Sequence, residues 1–305
     1  MTRTILLTAL VVTGGLTAAA FQPGGSQPRE VSVEKVKDNL YVMRGGGGNS
    51  AVFITASGVV VVDTKNPGWG QPLLDKIKTV TDKPVTTIIN THTHGDHVSG
   101  NVEFPANVDI VTHVNTEANM KEMRPVTGLS KPGAPPSPNI FKENSGRGLP
   151  KRTFKDKMSI GRGAEQIDLY YFGRAHTGGD AYVVFPAHRI MHVGDTFPNK
   201  DLPIMDANNG GSGVNYAATL TKASNVPNVD VIINGHMPTQ TTIADLKEYA
   251  NFIREFVSYV QAGKKSGKSV DEVVSGWSTP AKYTGYNDKP ARLRTDVEVI
   301  FGETK

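Results

Sequence analysis

The 305-residue chain contains no cysteine. That absence excludes disulfides, thiolate metal ligands, iron–sulfur clusters and a thiol nucleophile. Aromatic residues are scarce, at 7%, and no basic stripe interleaves with them, so no nucleic-acid partner is expected. Charge of one sign is also scarce. The 33 Lys and Arg nearly cancel the 29 Asp and Glu, leaving a formal +4 and no charged tail. No apolar run reaches the roughly 20 residues that cross a bilayer, so stable membrane insertion is not expected. What is present, 38% hydrophobic and 20% charged residues, is the composition of a globular chain with one large domain or two ordinary ones.

The N-terminus reads as a targeting segment and is set aside from the fold. Met1-Thr2-Arg3 is a short positive start, residues 5–16 are mostly apolar, and Ala18-Ala19-Ala20 is a small-residue cleavage pattern. Residues 1–20 are therefore expected to be a signal peptide, with Phe21 the first residue of an exported, periplasmic or secreted protein. Residues 21–30 follow as a flexible leader, and 31–305 as the folded domain. Lack of cysteine suits an oxidising compartment.

Strand and helix patterns then alternate. Residues 31–33, 40–43 and 51–54 read as short strands, with the glycine run 45–48 between the second and third. Four consecutive valines at 59–62 fit a strand buried on both faces. From Pro72, Leu73, Leu74, Ile77 and Val80 follow helical spacing. Strands are expected at 85–90, 108–112, 181–185, 190–193 and 229–233, and an alternating stretch at 167–171. Helices are expected at 116–123, 216–223 and 243–260, and a long surface loop at 124–150, where Pro, Gly and Ser crowd together. The mixture is an α/β layered domain with no internal linker. One echo joins two strand ends: Ile88-Ile89-Asn90-Thr91-His92 and Ile232-Ile233-Asn234-Gly235-His236 both finish in Asn-x-His. Two strand ends delivering histidines to one shared site would explain it.

Chemistry concentrates at Thr91-His92-Thr93-His94-Gly95-Asp96-His97. Imidazole and carboxylate together are ligands for zinc, with iron or manganese as alternatives. In an extended turn His92 and His94 face one side while Asp96 and His97 reach a second point just beyond. Gly95 is expected to allow the sharp turn between the pairs. Two metals a few ångströms apart is the natural reading.

This segment resembles the metallo-β-lactamase superfamily. The resemblance extends to His176 in Ala175-His176-Thr177-Gly178-Gly179-Asp180, Asp195 in Val193-Gly194-Asp195-Thr196, and His236 in Asn234-Gly235-His236, in the family's order. It implies a four-layer αββα sandwich holding two zinc ions at one edge of its sheets. It further implies that His92, His94 and His176 bind the first ion, that Asp96, His97 and His236 bind the second, and that Asp195 bridges both. Asp63 resembles the family's aspartate behind the metal loop, orienting a ligand from a strand end. Asp180 is balanced between such support and capping its own loop. His113, His188 and His192 fall outside the motif.

The mechanism expected is hydrolysis. Water held between two zinc ions loses a proton near neutral pH and attacks a carbonyl carbon, with Asp96 as the catalytic carboxylate that orients it or passes a proton. The loops after Arg44 and Arg124, and the stretch 208–212, are expected to line the substrate groove, the glycine run acting as a flexible flap. Arg174 and Lys200 flank ligands but read mainly as surface charge. Departures narrow the substrate. The best-known β-lactamase subclass has cysteine where this chain has Asp195, and lysine where it has Pro198; lactonases of the family have tyrosine at Pro198. Glyoxalase II shares the bridging aspartate but acts on glutathione thioesters, which an exported protein would rarely meet. The expectation is an exported dinuclear zinc hydrolase of a small-molecule ester, lactone, thioester or amide, β-lactams included. The alternatives are a di-iron redox protein of the same fold and a metal-stabilised periplasmic binding protein without turnover.

Overall fold

The computed structural model describes residues 29–129, 138–287 and 290–305. The expected signal peptide, and the leader up to residue 28, lie outside the described residues. Among those described, strands β1 (Ser32–Lys37), β2 (Leu40–Arg44), β3 (Ser50–Ile54), β4 (Val59–Val62), β5 (Val85–Ile89), β6 (Asp109–His113) and β7 (Arg152–Phe154) form one sheet in sequence order. Neighbours are antiparallel from β1 to β4 and parallel from β4 to β7. The second sheet contains β8 (Lys157–Ile160), β9 (Ile167–Tyr170), β10 (Tyr182–Phe185), β11 (Ile190–His192), β12 (Val231–Ile233) and β13 (Thr241–Thr242), ordered β13-β12-β11-β10-β9-β8. Only β11 and β12 pair in parallel there.

Side-chain alternation decides how the sheets stack. In β4, Val60 and Val62 enter a core shared with Leu169, Val183, Phe185 and Ile233 of the second sheet. Val59 and Val61 point the other way, against Leu73 and Ile77 of helix α1 (Gly70–Lys78). The unbroken valine run is thus a strand with apolar neighbours on both faces, as expected. The outer face of the second sheet, through Tyr182, Val184 and Met191, packs on α5 (Gly213–Ser224), α6 (Ile243–Lys265) and α8 (Leu293–Glu303). Helix, sheet, sheet and helix therefore stack as the four-layer αββα sandwich. Each fully buried Val or Phe contributes about 1.5–3 kcal/mol relative to exposure. The interior is thus a stiff base for the loops at its edge.

Several elements differ from the sequence reading. The segment 124–150 is not loop throughout. Helix α4 (Ile140–Glu143) forms after Asn139, whose side chain accepts from the Phe141 and Lys142 N–H groups. Phe141 is fully buried with Val98 and Met120, so one aromatic anchor outweighs its Pro- and Gly-rich surroundings. The strands β7, β8 and β13 are too short for alternation to reveal them. The C-terminal region carries α7 (Val270–Gly276) and α8 beyond the expected helix. Of the remaining helices, α2 (Gly95–Val98) contains Asp96 and His97 of the histidine segment, and α3 (Val114–Glu122) follows β6. No helix among the described residues is long and apolar enough to cross a membrane.

Candidate metal centre

Four connections converge on one edge of the sandwich. β5 runs into residues 90–97, the β9–β10 connection carries His176, β11 ends just before Asp195, and β12 ends before His236. The two Asn-x-His strand ends do converge: His92 Nε2 and His236 Nε2 lie 4.0 Å and 3.1 Å from the same oxygen, Asp195 Oδ2. His94 closes the extended segment at φ −64°, ψ 142° and stands at the N-cap of α2, whose first turn carries Asp96 and His97. The His97 ring nonetheless stays beside His92, with centroids 4.2 Å apart.

Gly95 does not make this turn possible. It lacks a left-handed backbone, and an added Cβ would meet nothing closer than Ser99 Oγ at 3.3 Å. The glycines the site needs are elsewhere. A Cβ at Gly235 would fall 1.8 Å from Asp195 Oδ1, and one at Gly48 would fall 2.2 Å from His97 Cε1. Both backbones therefore press directly on metal-loop side chains.

The seven sequence-derived residues gather into two neighbouring groups, linked by a third of Asp63, His92 and His97. His92, His94, His176 and Asp195 form one set of mutually close donor atoms, within 4.8 Å of one another; Asp96, His97 and His236 form another. In the first, His94 Nδ1 is 3.0 Å from His176 Nε2, and Asp195 Oδ2 is 4.0 Å from His92 Nε2 and 3.9 Å from His176 Nε2. In the second, His236 Nε2 is 3.2 Å from Asp96 Oδ2. Asp195 lies between the groups, with Oδ2 3.1 Å from His236 Nε2 and Oδ1 3.2 Å from His97 Nε2.

Each deeply buried histidine has its other ring nitrogen tied down, which fixes the ring's direction. Asp63 Oδ2 lies 2.7 Å from His97 Nδ1, while its carboxylate also accepts the Thr91 N–H and hydroxyl. Thr91 Oγ1 is in turn 2.9 Å from His92 Nδ1. The expected supporting role of Asp63 thus has a direct geometry. His176 Nδ1 donates to the Ile204 carbonyl at 2.8 Å. His94 Nε2 lies 2.8 Å from Asp206 Oδ2, a residue the sequence reading missed because no motif spacing marks it. Asp180 accepts the Thr177 N–H and hydroxyl, so it braces the turn that presents His176.

The donor set fits a cation. His92 Nε2 is buried without a hydrogen-bond partner, and an orphaned buried donor or acceptor costs about 1–3 kcal/mol unless something meets it. Burial, with neighbouring histidines, holds His92 well below the ordinary imidazole range and His176 down to about 3, leaving neutral rings with lone pairs to offer. Around His97 and His236 burial acts the same way, but carboxylates win. Asp195, Asp96 and Asp63 push His97 well up, and hydrogen bonds to Asp195 and Asp96 raise His236 to about 9. Burial also opposes ionisation of Asp96, yet His97 and His236 hold it ionised down to about 2. Side chains that draw protons onto two histidines favour positive charge at that point, and a metal ion answers the same demand.

A cavity of about 480 Å³ opens over these groups, walled by Val126, Leu129, Phe197, Leu202 and Met237. Of the loops expected to line it, the one after Arg124 does so. The glycine run and 208–212 do not border it. The glycine run is also no loose flap. Gly48 donates to the Asp96 carbonyl at 3.0 Å, and the buried Lys65 ammonium donates to the Met43 and Gly48 carbonyls. Arg174 donates to the Gly210 and Gly211 carbonyls, and Lys200 to the Thr284 carbonyl. Neither borders the cavity, in line with the surface reading. His113 caps α3, His188 lies 2.6 Å from Asn39 Oδ1, and His192 stands behind the site against the Asn49 carbonyl.

Comparisons with known proteins agree with this geometry. Residues 43–236 match the family model of the metallo-beta-lactamase superfamily. The chain is 27% identical over 249 residues to "Metallo-beta-lactamase type 2" of Elizabethkingia meningoseptica, covering 75% of this chain and 86% of that one. It is 28% identical over 171 residues to "Metallo-beta-lactamase IND-1" of Chryseobacterium indologenes, covering 52% of this chain and 62% of that one. Among solved structures it superposes on a metallo-beta-lactamase from Pontibacter korlensis with a TM-score of 0.58 at 20% identity, covering 74% of this chain and 99% of that one. With its αββα layers, its histidine and aspartate groups and a family match spanning well over half its length, this chain belongs to the metallo-β-lactamase superfamily and is a metal-dependent hydrolase of that family.

Proposed function

We propose that the protein is an exported dinuclear zinc hydrolase that cleaves a small ester, lactone, thioester or amide, β-lactams included. The observation that carries this reading is Asp195. Its two oxygens lie 3.1–3.2 Å from histidine nitrogens of the second donor group while Oδ2 also faces the first group, the position a carboxylate shared by two ions needs. His92, His94 and His176 would hold one ion, and Asp96, His97 and His236 the other. A set of imidazoles and carboxylates without thiolate suits zinc. When bound, two zinc ions supply Lewis-acid activation of water and of the carbonyl under attack.

The chain's own residues do the rest. Asp63, Thr91, Asp206 and the Ile204 carbonyl keep four imidazoles aimed at one place, so little reorganisation remains at the moment of reaction. Asp96 is the carboxylate of the second group that borders the cavity. It accepts the proton of the attacking water and returns it to the leaving group. The apolar walls exclude bulk water from the bond being cleaved.

Elemental analysis of zinc-replete protein tests the reading, with about two zinc ions per chain expected from seven ligating residues. One ion or none per chain counts decisively against it, and iron in place of zinc would favour the redox alternative. Turnover of a chromogenic ester and lactam panel separates the hydrolase from a binding protein. Export has its own check. N-terminal sequencing of protein from the native host is expected to begin at Phe21, and a cytoplasmic protein beginning at Met1 would remove the export reading.

A further inference from the structure

The cavity above the histidines does not end with them. A second, smaller cavity of about 230 Å³ shares Leu129, Ile204 and Arg292 with it and is bordered also by Asp296. We propose that Arg292, with the buried carboxyl of Asp296 beside it, is a subsite for an anionic group on the body of the substrate, so that the substrates are small amphipathic acyl compounds carrying a carboxylate away from the bond cleaved. The inference rests on the hydrolase reading of the same site.

Arg292 occupies the N-cap position of α8 without a side-chain capping bond and is half-buried. Its guanidinium has no hydrogen bond or ion pair among the described residues. Several other arginines are engaged: Arg44 pairs with Glu34, Arg189 with Asp230 and Arg294 with Asp271. A half-buried guanidinium with five donors and no acceptor is poorly satisfied, and a planar anion would satisfy it with two parallel bonds.

Asp296 adds an independent observation. It is 1% exposed, and neither carboxyl oxygen has a hydrogen-bond partner. The Met205 N–H acts on it without meeting hydrogen-bond geometry, and burial holds its carboxyl well above the usual carboxylate range. A protonated carboxyl is a donor. Two donors border this end of the cavity, and the charge beside them is positive, so an amine is disfavoured and an acceptor-rich anion is favoured. Val126, Leu129 and Leu202, which line the same cavity as Arg292 and the histidines, are apolar, which suits a hydrocarbon body. Arg292 also lies beyond residues 43–236, which match the family model. The subsite is therefore carried by α8, beyond the part of the chain that matches the family model.

Calorimetric binding of hexanoate and its neutral counterpart hexanamide to the zinc-loaded protein is the test. The native chain is expected to bind hexanoate about tenfold or more tighter, the usual scale for a charge-assisted bidentate contact. Arg292→Gln should bring the two within about twofold while leaving hexanamide binding unchanged, which also shows that the variant is folded. Arg292→Lys should restore part of the preference. Asp296→Asn keeps a donor and should retain the preference, whereas Asp296→Leu should weaken it about threefold. A preference that survives Arg292→Gln means that hexanoate sits on the metal ions, and overturns the proposal; so does equal binding by the native chain. Turnover separates this from the hydrolase reading. The p-nitrophenyl monoester of glutaric acid should lose about tenfold in kcat/KM in Arg292→Gln, through KM, while p-nitrophenyl pentanoate is unaffected. If neither ester is cleaved but the binding preference behaves as stated, the hydrolase reading fails and the subsite stands. If both are cleaved without regard to charge, the subsite fails and the hydrolase stands.

Discussion

Asp195→Ala should strip the protein of zinc and activity together. Asp195 faces both donor groups, and its oxygens lie 3.1–3.2 Å from His236 and His97. On the proposed dinuclear reading, removing it would take an anionic ligand from each ion at once and leave three donors in each group. The two partly formed sites then confront one another without a shared negative charge to screen them. Turnover should fall on the order of 1,000-fold or more, and zinc content should drop below one ion per chain after dialysis. Thermal stability measured without added metal should change far less, because the apolar core between the sheets does not involve Asp195. Full activity with two zinc ions retained in this variant would remove the bridging assignment and the dinuclear reading with it.

Asp96→Asn should behave differently, and the contrast locates the chemistry. The amide keeps the shape and one oxygen facing His236, where the carboxylate stands 3.2 Å away. It cannot accept a proton. Turnover is expected to fall about 100-fold or more, with zinc content reduced much less, because general acid–base help is lost while the ligand geometry survives. The control is His188→Ala. His188 precedes β11, at the opposite end of that strand from Asp195, and its ring contacts Asn39 and Phe53. Its loss should leave turnover within a few-fold. Equal losses in the two variants, measured as steady-state rates beside zinc content, would mean that the site has been misplaced.

Much of this site was legible without coordinates because ligand chemistry is local. Three histidines and an aspartate within six positions declare a metal segment whatever lies around them. The runs that end in Asn90 and Asn234 announce strands aimed at a common edge. The valine run 59–62 reads as doubly buried because β-branched residues without a polar alternate face cannot border water. The errors were local too. Gly95 reads in the sequence as the hinge of a sharp turn, yet α2 makes that turn without any need for glycine. Gly48 and Gly235 look ordinary in the sequence and become essential only when another segment presses against them. The helix around Phe141 was hidden for the same reason, since its stability comes from Val98 and Met120, more than 20 positions away.

The sequence by itself determined the layered α/β class and the histidine–aspartate segment 92–97, because periodicity and spacing are properties of neighbours along the chain; the full set of seven candidate ligands came through the family resemblance. Only the tertiary structure decided what faces those ligands. Asp206 reaches His94 across 112 positions, Lys65 pins the glycine run from beneath, and Arg292 joins Asp296 at the far side of the cavity from a helix that carries no motif. A polar residue standing alone in a sequence has no period and no spacing. It acquires a role only when folding removes water from around it and leaves one partner, or none, within reach.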